Sequence, residues 1–194
     1  YATDGGDNAY AFRGSSNSTL NIVLDRASAG TDVTHPMSTP NLGIAGIGGG
    51  TFAMNFTRGG NVSGTATAAF DQFNMSGGGG GSTTLNPAAG TVVTIGTVTK
   101  ALNNVSQTLV LGGVTSGNAI TGEISNGVAT GANFVALTKA NTSTWTLTGN
   151  NSYTGATTIT GGTLRVGDGG TSGSLGSGDI AVNADLVFNR ADTL

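Results

Sequence analysis

The chain has 194 residues, enough for one domain (1–194) with a real core, and nothing in its composition argues for two. Glycine supplies 35 residues and charged side chains only 9%, against roughly 7% glycine and a quarter charged in ordinary domains, so an ordinary globular enzyme is not the expectation. The net charge of −3 and the scattered placement of Arg13, Arg26, Arg58, Lys100, Lys139, Arg165 and Arg190 offer no basic patch for nucleic acid or anionic lipid.

A hydrophobic content of 37% with so little charge also argues against disorder. The absence of cysteine removes disulfides and thiolate metal sites, and suits an extracellular protein stabilised by repetition. Because the sequence starts at Tyr1 it reads as a processed or excised piece. Its nearest approach to a membrane span, LGIAGIGGG at 42–50, is too short and too glycine-rich.

In chain order, Tyr10 and Phe12 alternate with Ala11, and with Tyr1 they are candidate assembly contacts on an N-terminal docking arm, residues 1–18. TLNIVL then places Leu20, Ile22 and Leu24 on one face of a half-buried strand. The segment VTHPMSTPNLG, with His35 between two prolines, reads as an exposed loop within a loop-rich region at 25–50. TFAMNF gives a strand with Phe52, Met54 and Phe56 inward, and GGGGG at 77–81 reads as a surface loop. Further strands follow at VVTIG (92–96), TLVL with Leu109 and Leu111 inward, FVALT (134–138), TWTLT (144–148), TTIT (157–160), TLRV (163–166), DIAV and DLVF. The predicted core therefore also includes Trp145, Leu147, Ile159, Leu164, Val166, Leu186 and Phe188. No segment has a helical period, and β-branched Thr, Val and Ile favour the pleat.

Gly-Gly and Asn-containing links between such short strands fit either hairpins or tight corners. A recurrence near the end favours corners: TLRV returns as DLVF 22 residues later, each preceded by a second strand and a corner. Leu85, Leu109 and Phe134 lead similar segments at intervals of roughly 25, the length of one solenoid coil. The expectation is an all-β solenoid of roughly eight or nine coils, each strand pairing with its equivalent in the next. Like residues then stack, and Thr and Asn do so without the repulsion that stacked charges suffer.

The stretch LTKANTSTWTLTGNNSYTGATTITGGTLRVG (137–167) resembles the autotransporter-associated β-strand repeat of bacterial cell-surface and secreted passenger proteins. Lys139, Trp145, Leu147, Gly149, Asn151, Tyr153, Gly155, Thr157, Ile159, Gly162, Thr163, Leu164 and Val166 occupy the positions of that pattern. ANTST replaces the glycine-rich turn usual before the Trp, and SLGSGDIAVNADLVFN resembles the coil that follows, so the match covers residues 137–189. The resemblance implies a right-handed parallel β-helix on a bacterial surface or outside the cell.

Candidate chemistry is sparse. His35 stands alone, and Asp4, Asp7 and Asp168 lack the nonapeptide repeat of a calcium β-roll, so neither a metal nor a cofactor is expected. Asp179 and Asp185 are the one close acidic pair on predicted strands, and they read as corner decoration rather than catalytic carboxylates. Trp145 shares parity with Leu147, which makes core packing the expectation for it, against a sugar-stacking platform with Tyr153. The functional expectation is a non-catalytic structural module that self-associates head to tail into a fibre, stalk or coat, its partners being copies of itself or neighbouring repeats. The alternative is an adhesin passenger whose loops at 25–50 contact a host surface or polysaccharide. A polysaccharide-degrading β-helix enzyme comes third.

Overall fold

The computed structural model describes residues 17–37, 50–75, 80–100, 105–127 and 133–192. Tyr1, Tyr10 and Phe12, nearly all of the docking arm, Asp4, Asp7 and residues 38–49 and 76–79 lie outside them. The described residues form fourteen strands and no helix: Ser18–Leu24 (β1), Val33–Pro36 (β2), Thr51–Arg58 (β3), Ala66–Met75 (β4), Gly81–Pro87 (β5), Thr91–Lys100 (β6), Gln107–Leu111 (β7), Asn118–Ile120 (β8), Val135–Lys139 (β9), Thr144–Leu147 (β10), Thr157–Ile159 (β11), Thr163–Val166 (β12), Ile180–Val182 (β13) and Asp185–Phe188 (β14).

Odd-numbered strands form one seven-stranded sheet and even-numbered strands another, each in chain order. Every pairing is parallel. No hairpin occurs among the described residues: each strand turns a corner into the other sheet, and its partner is the equivalent strand one coil away. This is the solenoid arrangement, with seven coils described. The recurrence of TLRV as DLVF is the register itself, since Thr163 faces Asp185 and Leu164 faces Leu186. The looser period needs correction. Leu85 faces Leu111, Leu109 faces Leu137, and Phe134 precedes β9. Phe134 is 37% exposed.

The core lies between the sheets and is built by strict alternation. Phe52, Met54 and Phe56 stack on Leu85, on Leu109 and Leu111, and then on Val135 and Leu137, all buried. Phe70 bridges Phe56 and Phe73, edge to face, with ring centroids 6.0 Å apart in each pair, a favoured aromatic geometry. Ile22, Leu24, Trp145, Leu147, Ile159, Leu164 and Val166 are buried as well, whereas Leu20 and Leu186 are half-buried. Phe188 departs from its predicted core position. It points inward opposite Val166, yet it is 47% exposed because β14 ends the stack of described coils.

Three strands fall where the sequence reading had loops or nothing. His35 sits on β2, paired with Ala68 of β4, not in an exposed loop. β4 carries two alanines inward, Ala66 and Ala68, and its alternation slips at Asp71–Gln72, as that of β6 does at Gly96–Thr97. A corner forms there and opens a third, narrow side of the coil, where Val98 bridges Ile124 and the Tyr153 amide donates to the Ile124 carbonyl at 3.2 Å.

Candidate functional site

The outer faces of the strands carry the polar ladders. Asn21, Asn55 and Asn86 lie in register on β1, β3 and β5, and their amides join in a chain: Asn55 Nδ2 donates to Asn21 Oδ1 at 2.9 Å and Asn86 Nδ2 to Asn55 Oδ1 at 3.2 Å. The ladder runs along a strand face rather than at a corner. It stops at Gly112, where a Cβ would come within 3.1 Å of Asn141 Oδ1 and nearer still to Asn86 Oδ1.

Corners hold the largest concentration of chemistry. At the corner between β9 and β10, Asn141 takes φ 57°, a left-handed conformation that Asn tolerates where most residues do not. Ser143 Oγ and Trp145 Nε1 both donate to the Gly112 carbonyl of the preceding coil, at 2.6 and 3.0 Å. Thus ANTST reproduces a glycine turn with one Asn, and its buried Ser adds a bond between coils. Lys139 is fully buried, and its Nζ donates to the carbonyls of Ala140, Gly161 and Asn141 at 2.7, 3.0 and 3.3 Å. Burial pushes its pKa down to about 8. Lys100 is also buried, donates to the Val105 carbonyl at 2.7 Å, and is lowered for the same reason.

Asn151 Oδ1 accepts from the Ile124 amide at 2.7 Å, and its Nδ2 donates forward to the Ser174 carbonyl at 2.5 Å, so one side chain ties three coils. Asn118 does the same for its neighbours through the Val93 amide and the Thr144 carbonyl. The Tyr153 hydroxyl lies 2.7 Å from Thr157 Oγ1, and burial raises its pKa despite that bond. Trp145 and Tyr153 are both fully buried, so neither presents a platform to a sugar.

Glycines complete the corners because backbone meets backbone there. In the column Gly96, Gly122, Gly149, a Cβ on Gly122 would lie 2.5 Å from the Gly96 carbonyl oxygen. One on Gly149 would lie 2.9 Å from the Glu123 amide nitrogen and closer to the Gly122 carbonyl. Gly162 is required twice over, by φ 63° and by the nearby Ser143 carbonyl.

Several of these residues, Lys139, Ser143, Trp145, Gly149, Asn151, Tyr153 and Gly162, lie within a family match. Residues 137–166 match the passenger-associated-transport-repeat family. The chain carries an autotransporter passenger repeat. Within this repeat Lys139, Trp145 and Asn151 each bond a backbone group of an adjoining coil. A relative, the adhesin BmaC autotransporter of Brucella suis biovar 1 (strain 1330), is 44% identical over 100 residues, which are 51% of this chain and 3% of the relative. The chain therefore spans a small fraction of that protein's length. No solved structure matches the chain. Repeat and relative together make this an extracellular or bacterial cell-surface chain.

The other candidates stay apart. Asp168, Asp179 and Asp185 are exposed, and Asp185 accepts a long 3.4 Å bond from Thr163. Among the described residues no three His, Asp or Glu side chains gather into a group that could hold a metal. Arg190 clamps the 167–173 corner through the carbonyls of Thr171 and Gly173 and pairs with Asp192. The sequence reading missed Ser143, Asn118 and Arg190, whose roles depend on which coil lies beneath them. The third side was missed too, for want of any alternation to mark it.

Proposed function

We propose that the chain is a non-catalytic structural β-solenoid of a bacterial surface passenger, wound right-handed, with the seven described coils in place of the eight or nine expected from the sequence. It extends by stacking end to end on a second copy or on neighbouring repeats. The carrying observation is the unbroken parallel ladder, in which each described strand pairs with its equivalent one coil away. Ile180, Val182 and Phe188 occupy the inward register positions of Thr157, Ile159 and Val166, which are buried, yet they are 48%, 48% and 47% exposed. β13 and β14 each pair on one side only among the described residues, and such an edge is a template for a further parallel strand. Right-handed winding accords with the strong handedness of connections between parallel strands in one sheet. The scaffolding role is supported by the repeat itself, where Lys139, Trp145 and Asn151 are committed to backbone carbonyls and amides. Electron microscopy of the purified chain tests the reading: extended fibres support it, and isolated particles at every concentration defeat it.

A second reading, an adhesin that binds a host surface or polysaccharide, is favoured by the adhesin relative. The structure narrows its test. Thr34–Pro36 belong to β2 and Met37 is buried, so a deletion that spares them starts at residue 38. Loss of surface binding on deletion of 38–43 supports that segment as the contact.

A further inference from the structure

The outer face of the third side combines features that no corner needs for packing. Gln72 pairs with Thr97 in register, and Thr97 lies opposite Glu123, because Val98 bridges Ile124 and its amide donates to the Glu123 carbonyl at 2.9 Å. Ser152 Oγ donates to Glu123 Oε1. An amide, a hydroxyl, a carboxylate and a hydroxyl thus follow one another along the solenoid axis, one per coil, at the parallel-strand spacing of about 4.8 Å. Thr97 Oγ1 and, one column over, Asn74 Oδ1 are shielded from solvent and have no hydrogen-bond partner. Asn126 Nδ2 donates to Thr154 Oγ1 at 2.9 Å beside this row.

Phe134 stands at the far margin. Its ring rests against Gly155, where a Cβ would come 2.5 Å from Phe134 Cδ2, and it remains 37% exposed. Asn126 Oδ1 accepts from the Val135 amide at 2.8 Å, which ties the ring's own strand to the polar row. Side-chain oxygens and amides spaced along an axis, next to one aromatic face, are the means by which a sugar chain is held: hydroxyls bond to the polar row and the C–H face of a ring packs on the phenyl. Glu123 is the one charged side chain of the row and no basic residue accompanies it, so an acidic polymer is disfavoured.

We propose that this strip, Gln72, Glu123, Ser152 and Phe134, binds a neutral or amino-sugar oligosaccharide lying along the solenoid axis. The proposal deepens the adhesin reading and does not depend on end-to-end assembly. The test is an array of neutral, amino-sugar and acidic oligosaccharides probed with the 194-residue chain, then with Phe134→Ala and Glu123→Gln. Binding to neutral or amino sugars that weakens about tenfold or more in both variants, with unchanged unfolding midpoints, is the expected result. Binding that both variants retain overturns the site while leaving the adhesin reading standing, as does an empty array from a chain that still adheres to cells. An empty array without adhesion removes both. A variant that misfolds is replaced by Ser152→Ala, whose partner is a surface carboxylate, and retention of full binding there counts against the strip.

Discussion

Gly149→Ala puts one methyl group where the stacking of coils leaves no room. The new Cβ would sit 2.9 Å from the Glu123 amide nitrogen and nearer still to the Gly122 carbonyl oxygen, both backbone atoms that no rotamer change can move. Relief requires lifting this corner by about 1 Å, since non-bonded carbon contacts settle near 3.5 Å. Three bonds between coils are then distorted: Thr148 N to the Ile120 carbonyl (3.1 Å) and Thr148 Oγ1 to the Thr121 carbonyl (3.2 Å) stretch, and Ser174 N to the Gly149 carbonyl (3.2 Å), on the other side, is compressed. At about 1 kcal/mol each, less about 0.4–1 kcal/mol gained from a less flexible unfolded chain, the net loss is about 2–3 kcal/mol. Urea unfolding followed by fluorescence of Trp145, the chain's one tryptophan, measures it. Gly60→Ala is the control, because a Cβ there meets nothing within 4 Å. Equal midpoints for Gly149→Ala and Gly60→Ala would refute the argument that corner glycines mark backbone contact between coils.

Trp145→Phe keeps the buried ring but removes the donor to Gly112, and a loss of about 1–2 kcal/mol is expected by circular dichroism on urea titration. For Lys139 the expectation concerns pH. Its folded pKa of about 8 lies below the free value near 10.4, so in that window the unfolded chain binds the additional proton and stability rises with pH; below about pH 7 both states are protonated, the burial penalty is fully present and stability no longer varies with pH on this account. The stability gap between the native chain and Lys139→Met should widen by about 2 kcal/mol from pH 7 to pH 9.5, and a gap independent of pH contradicts the assignment. Val182→Asp at the open end should leave folding nearly unchanged and abolish fibres in the electron microscope, because that side chain is already 48% exposed.

Period-two alternation made most core positions readable. TFAMNF and TWTLT bury every second residue as the pattern requires, and the 22-residue return of TLRV is a true register. Loss of alternation hid the rest. β2 carries a proline and a histidine, β8 is three residues long, and β4 is broken at Asp71–Gln72, so none offers a long enough stripe. In the sequence Phe134 reads as the first residue of a strand, in line with Leu85 and Leu109, and only the neighbouring strand reveals that it stands one residue ahead of β9. The roles of Lys139, Ser143 and Asn118 depend on carbonyls and amides some 20–30 residues away. No spacing rule reaches those groups until the coils are stacked.

Parallel stacking in this register is open to one direct measurement, since the chain has no cysteine of its own. Thr138 and Thr158 face each other on β9 and β11, in neighbouring coils, at a Cα spacing near 4.8 Å that a disulfide spans. Thr138→Cys with Thr158→Cys should oxidise rapidly to an intramolecular disulfide in the folded chain, whereas Thr138→Cys with Thr146→Cys, on opposite sheets, should not. Rapid closure of the 138–146 pair, together with failure of the 138–158 pair, would mean that β9 and β10 form a hairpin and that the coils are not stacked.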